Sequence, residues 1–188
     1  MLSAAAILVV PAAAQAACDS TPTTKAFQAF GDSADYSLAP DGAFESGSGQ
    51  WSLTRAWVAS GSESYGVHSR SDSRSLAIAA TGSAASPAFC IDVDHPTFRF
   101  FAKRTSGSWG QLTVKLRWRE AGGNTNETVV GSIAGGTSWQ PSPSLNLARS
   151  LPLSSLDDTT DVQIVFDPEN YGGSWAIDDV FVDPYARG

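Results

Sequence analysis

The chain has 188 residues, with 12 Lys and Arg against 19 Asp and Glu, a formal net charge of −7 and a pI near 4.6. That balance excludes nucleic acid as a general partner and suits an extracellular protein with some affinity for divalent cations. The length allows one β-sandwich with a real core but not two full domains, and only two cysteines leave no thiol-rich zinc or catalytic centre.

Met1 to Ala17 is an apolar Ala- and Val-rich run ending in small residues, the pattern of a secretory signal peptide although without a basic n-region. Cys18 follows directly, which opens a lipoprotein reading that Gln15 disfavours; the simpler expectation is a Cys18–Cys90 disulfide contributing about 2–4 kcal/mol. Residues 18–39 read as an N-terminal arm with a helical turn near Lys25 to Phe30, and residues 40–188 as the domain. No second apolar segment is long enough to cross a membrane.

Asp41 to Gly47 predicts a turn, a short strand and another turn, and Trp51, Leu53 and Trp57 mark the inner side of a half-buried strand. A Ser-rich loop, residues 60–75, follows. Strand patterns recur at 75–79, 86–91, 97–103, 111–119, 127–133, 144–147 and 161–166. The clearest is Gln111 to Arg119, where Leu112, Val114, Leu116 and Trp118 alternate with Thr113, Lys115, Arg117 and Arg119. With the last strand there are about nine, no long helix, and many Gly and Ser turns. The fold class is all-β, a two-sheet jelly-roll sandwich.

The last strand, Ser174 to Asp183, is apolar except for Asp178 and Asp179 at its middle. Strict alternation places Trp175, Ile177, Asp179 and Phe181 on one face and Ala176, Asp178, Val180 and Val182 on the other. One acid then points into the core, where it needs hydrogen bonds, a partner or a cation. The alternative is a β-bulge that turns both acids to solvent.

Asp41-Gly42-Ala43-Phe44-Glu45 with Trp51, and the closing Trp175-Ala176-Ile177-Asp178-Asp179-Val180-Phe181-Val182, resemble the first and last strands of galactose-binding-like jelly rolls. That group includes carbohydrate-binding modules of secreted bacterial glycosidases, and the closing strand is also similar to that of MAM-type domains. The resemblance implies a structural Ca²⁺ that ties the ends of the domain, with Glu45 and Asp179 as ligands and Asp41 as a weaker one. A second calcium pattern beginning at Asp167 fails, because Pro168 and Tyr171 break it.

Six tryptophans exceed what a core of this size needs, and aromatic faces stack on sugar rings. Trp51, Trp118 and Trp175 are in phase with core positions. Trp109, Trp139 and Tyr171 lie among Gly and Ser and are the candidate stacking residues. Arg99, Lys103, Lys115, Arg117 and Arg119 would form one basic face if their strands were neighbours, with Arg117 and Arg119 as ligand-binding candidates. His68 and His95 accompany no nucleophile elbow.

The expected function is a secreted, non-catalytic domain binding an extracellular polysaccharide or surface glycan. An adhesive or filament-forming protein-interaction domain is the alternative, and a small glycan or ester hydrolase a more distant one.

Overall fold

The computed structural model describes residues 22–91, 97–108, 110–120, 123–147, 150–151, 160–168 and 173–183. Eleven strands are described: β1 (Ser37–Leu38), β2 (Ser52–Ser60), β3 (Arg74–Ala85), β4 (Phe89–Ile91), β5 (Thr97–Arg104), β6 (Leu112–Arg119), β7 (Thr125–Ile133), β8 (Gln140–Pro141), β9 (Leu145–Asn146), β10 (Thr160–Pro168) and β11 (Trp175–Val182). A 3₁₀ turn at Gln28–Phe30 matches the expected helical turn. All strand pairings are antiparallel, and the main path runs β7-β6-β10-β3-β11-β5-β8.

This single sheet curls into a jelly roll because β3 serves both halves. Leu76 to Ile78 pair with β11, while Ala84 and Ala85 pair with the far end of β10. The two halves face each other across the main core. One side supplies Leu76, Ile78, Phe98, Phe100, Trp175 and Ile177, the other Leu112, Val114, Leu116, Trp118, Val162, Ile164 and Phe166. Alternation on β6 and β10 holds as the sequence predicts, and Trp51 stacks on Phe166 at a centroid distance of 6.1 Å.

Two bulges reset the alternation elsewhere. On β11, Asp178 pairs with Phe101 and Phe181 with Arg99, so Asp179 and Val180 together oppose Phe100 alone. Asp179 takes a left-handed backbone, φ 47°, which a non-glycine residue adopts at a cost of about 1–3 kcal/mol. The extra residue advances the phase by one, so Val180 and Val182 join Trp175 and Ile177 in the main core, and Phe181 joins Ala176 on the outer side. The strictly alternating assignment of β11 is therefore corrected beyond Ile177.

On β2 and β3, Thr54 pairs with Ser83 but Ala56 pairs with Ile78, and Arg55 has φ 47°. Ala56 and Val58 consequently pack on the core, and Trp57 turns outward with 54% exposure, opposite to its expected half-buried place. Gly82 permits this offset, because a Cβ there would stand 2.6 Å from the Arg55 carbonyl oxygen.

The outer side of β11 and β5 is covered by the N-terminal arm, which forms a second core. Phe27 stacks on Phe101 at 5.4 Å and meets Tyr36 and Phe181 edge-on at 5.0 and 5.8 Å. Arg99 lies 4.3 Å from the centre of the Phe27 ring and donates from Nη1 to Asp32 Oδ2 at 2.7 Å. Its Nε and Nη2 both donate to the Ser142 carbonyl. With β1 paired to β11, the arm is built into the sandwich.

The expected single basic face divides. β5 and β6 are not neighbours; Arg99 is buried under the arm, and Lys103 lies over the Trp139 ring at 4.5 Å. Asp41 to Gly47 forms turns only, without the expected short strand.

Candidate functional site

Two places gather polar chemistry. The first is a cavity of about 540 Å³ at the end of β6, lined by Ala88, Arg117, Trp118, Arg119, Thr125, Asp161 and Gln163. That volume falls within the roughly 300–1,000 Å³ of small-molecule sites. The register explains the lining: Arg117 pairs with Gln163 on one side and Glu127 on the other, and Arg119 with Thr125. Because Leu116 and Trp118 point inward, Arg117 and Arg119 must point out.

Arg117 donates from Nε to Glu127 Oε1 at 2.7 Å, while Gln163 donates to the Ser86 carbonyl at 2.7 Å. Trp118 is 8% exposed, yet its indole N–H has no hydrogen-bond partner, and neither does the buried Nδ2 of Asn126, its partner across β7. Each unmade bond of this kind costs about 1–3 kcal/mol. The cavity thus combines guanidinium and hydroxyl donors with the Asp161 carboxylate and the Gln163 amide. That mixture suits a ligand rich in hydroxyl groups, each of which both donates and accepts.

The second place is the loop 61–73, which closes on the bulge of β11. Asp178 and Asp179 are 0% and 1% exposed, so the bulge does not turn them to solvent. Asp178 Oδ2 accepts from Ser62 Oγ at 2.8 Å and Glu63 N at 2.7 Å, and Oδ1 from the Asp179 amide at 2.9 Å. Glu63 accepts the Val67 amide at 2.7 Å and that of Tyr65. Asp179 Oδ2 accepts the His68 amide at 3.0 Å, and His68 Nδ1 lies 2.7 Å from Asp72 Oδ2. Burial, then the neighbouring Asp179 charge, pushes the Asp178 pKa up to about 8. Burial also pushes Asp179 up to about 7, with Glu63 adding to the shift against the His68 amide.

The residues expected to hold calcium each accept hydrogen bonds from the protein itself. Both Glu45 oxygens accept hydrogen bonds from Ser73, and Oε1 also accepts the Arg74 amide at 2.7 Å. Asp41 is exposed and accepts the Gln50 amide at 3.4 Å. Only Asp179 keeps an oxygen buried and unpartnered. Trp139 is 6% exposed, with its carbonyl accepting from Tyr65 Oη and its ring beneath Lys103, so its face is not open for stacking. Trp109, Tyr171, His95 and Cys18 lie outside the described residues; Cys90 is not a free thiol. Sequence reasoning missed Asp161, Gln163, Glu63, His68 and Asp72 as site residues. For the loop residues, the available signal was two acids and a histidine in an otherwise Ser-rich stretch.

No protein-family model and no curated protein matches the chain. Solved structures do. The CBM22-1 xylan-binding domain of Paenibacillus barcinonensis Xyn10C superposes with a TM-score of 0.55 at 14% identity, covering 81% of this chain and 99% of that one. The CBM22-1-CBM22-2 tandem of the same protein gives 0.58 at 13%, covering 82% and 46%. The CBM22-1-GH10 modules of Clostridium thermocellum endo-1,4-beta-D-xylanase 10B, solved with xylohexaose, give 0.56 at 13%, covering 80% and 28%. The chain thus spans less than a third of that xylanase structure. The fold is the jelly roll of carbohydrate-binding modules.

Proposed function

We propose that the chain is a non-catalytic domain that binds polysaccharide outside the cell, through the cavity at the end of β6. The observation that carries this reading is a cavity of about 540 Å³ in which Arg117, Arg119, Thr125, Asp161 and Gln163 present guanidinium, hydroxyl, carboxylate and amide groups together. Sugar hydroxyls both donate and accept, so they can meet each of these groups. The fold adds support, since structures of the same architecture include a xylan-binding domain and a module solved with xylohexaose. An exported domain of this kind agrees with the apolar leader.

Affinity electrophoresis against xylan, β-glucan, galactan and pectin tests it. Retardation in at least one gel, reduced tenfold or more in affinity by Arg119→Ala, supports the reading; free migration in every gel overturns it. A second reading rests on Trp57, which stands 54% exposed on β2, a strand that among the described residues pairs with β3 alone. Such an edge suits protein contact. Concentration-dependent assembly that Trp57→Ser abolishes would favour it.

A further inference from the structure

Four carboxylates, Glu63, Asp72, Asp178 and Asp179, converge where the loop 61–73 closes on β11. Glu63 and Asp178 spend their oxygens on backbone amides and the Ser62 hydroxyl, which accounts for their burial. Asp179 is different. Its Oδ2 takes the His68 amide, but Oδ1 is buried without a hydrogen-bond partner in a residue only 1% exposed. A buried carboxylate oxygen without a partner either takes up a proton or is met by a counter-charge. Ligand atoms of His68, Asp72 and Asp179 lie within 4.8 Å of one another, and the Asp72 side chain is itself 7% exposed.

We propose that His68, Asp72 and Asp179 hold a divalent cation of the zinc class, and that this site replaces the calcium site implied by the resemblance. Calcium takes six to eight oxygens, whereas an imidazole with two carboxylates suits zinc and its first-row neighbours. The oxygens that calcium would draw from Glu45 and Asp41 are turned to the Ser73, Arg74 and Gln50 amides. With the cation bound, His68 and Asp72 would share the ion in place of their present hydrogen bond. The loop 61–73 would then be fastened to β11 through metal as well as amides. The site lies on a different loop and strand from the cavity at the end of β6, so it stands or falls independently of glycan binding.

The test uses the full chain stripped with chelator and then titrated separately with Zn²⁺, Co²⁺ and Ca²⁺. Zinc at a hundredfold excess over Kd is expected to raise the melting temperature by roughly 5–10 °C. Calcium at the same concentration should leave it unchanged, and bound Co²⁺ should show visible absorption from imidazole ligation. His68→Ala changes a side chain 39% exposed and so should fold; it must lose both the shift and the absorption, as must Asp72→Asn. Stabilisation by calcium alone, a zinc shift that persists in His68→Ala, or no shift with any ion would each overturn the proposal.

Discussion

Replacing Asp32 with Ala removes an acid that anchors the arm over β11 and β5. Its Oδ2 accepts from Arg99 Nη1 at 2.7 Å and from Tyr36 Oη at 2.8 Å, and its Oδ1 accepts the Ala34 amide at 3.1 Å. Breaking a buried ion pair costs about 3–5 kcal/mol, because the surviving charge is left uncompensated. Arg99 and Asp32 side chains are 10% and 23% exposed, and Arg99 keeps the Ser142 carbonyl, so solvent and that bond moderate the loss to about 3 kcal/mol. For a chain of this size the melting temperature should fall by roughly 6–12 °C. The pH dependence adds a second readout. Burial alone would raise the Asp32 pKa, but hydrogen bonds from Tyr36, Arg99 and Ala34 with the Arg99 charge outweigh it and hold the group below 3.8. A depressed acid stabilises the fold above its unfolded pKa and loses that contribution as pH falls through the folded value. The stability gap between the parent and Asp32→Asn should therefore be constant near neutrality and shrink below about pH 4. Chemical denaturation across pH measures it. An unchanged melting point in Asp32→Ala, or a gap that widens on acidification, would refute the anchoring role.

The two bulges make sharper demands on single residues. Val180→Ala should cost about 2 kcal/mol, as expected for a core valine, whereas an outward Val180 would cost under about 0.5 kcal/mol. Trp57→Ala should change stability by less than about 0.5 kcal/mol, against about 3–5 kcal/mol for Trp51→Ala; comparable losses at both would contradict the phase change on β2. Gly135→Ala would place a Cβ 2.6 Å from the Trp175 ring and should cost about 1–3 kcal/mol by urea denaturation.

Much of the sandwich was legible in the sequence because β6 and β10 alternate without interruption, so Leu112 to Trp118 announce a strand with one buried face. The reading failed at Arg55, and at Asp179 it held the bulge only as an alternative that would turn both acids to solvent. Arg55 and Asp179 take left-handed backbone conformations without being glycine, and a bulge of that kind leaves no local mark in the residues themselves. The paired acids of β11 did signal something unusual, but their partners, Ser62, Glu63 and His68, lie more than a hundred residues away in a loop with no period. Trp139 was misplaced for a related reason. Its Gly- and Ser-rich surroundings describe a loop, yet the arm and Tyr65 bury it through contacts that only the tertiary fold supplies. Arg117 and Arg119 could be placed on the outer face because outward positions on a regular strand can be counted.

The most direct measurement follows the indole N–H resonances of the six tryptophans by ¹⁵N NMR during titration with xylohexaose and the oligosaccharides of whichever polysaccharide retards the protein. Binding at the end of β6 predicts that the Trp118 signal shifts and saturates with the ligand, while those of Trp51 and Trp175 stay in place. A bound oligosaccharide that leaves Trp118 unmoved, or no binding at millimolar ligand, would contradict the account.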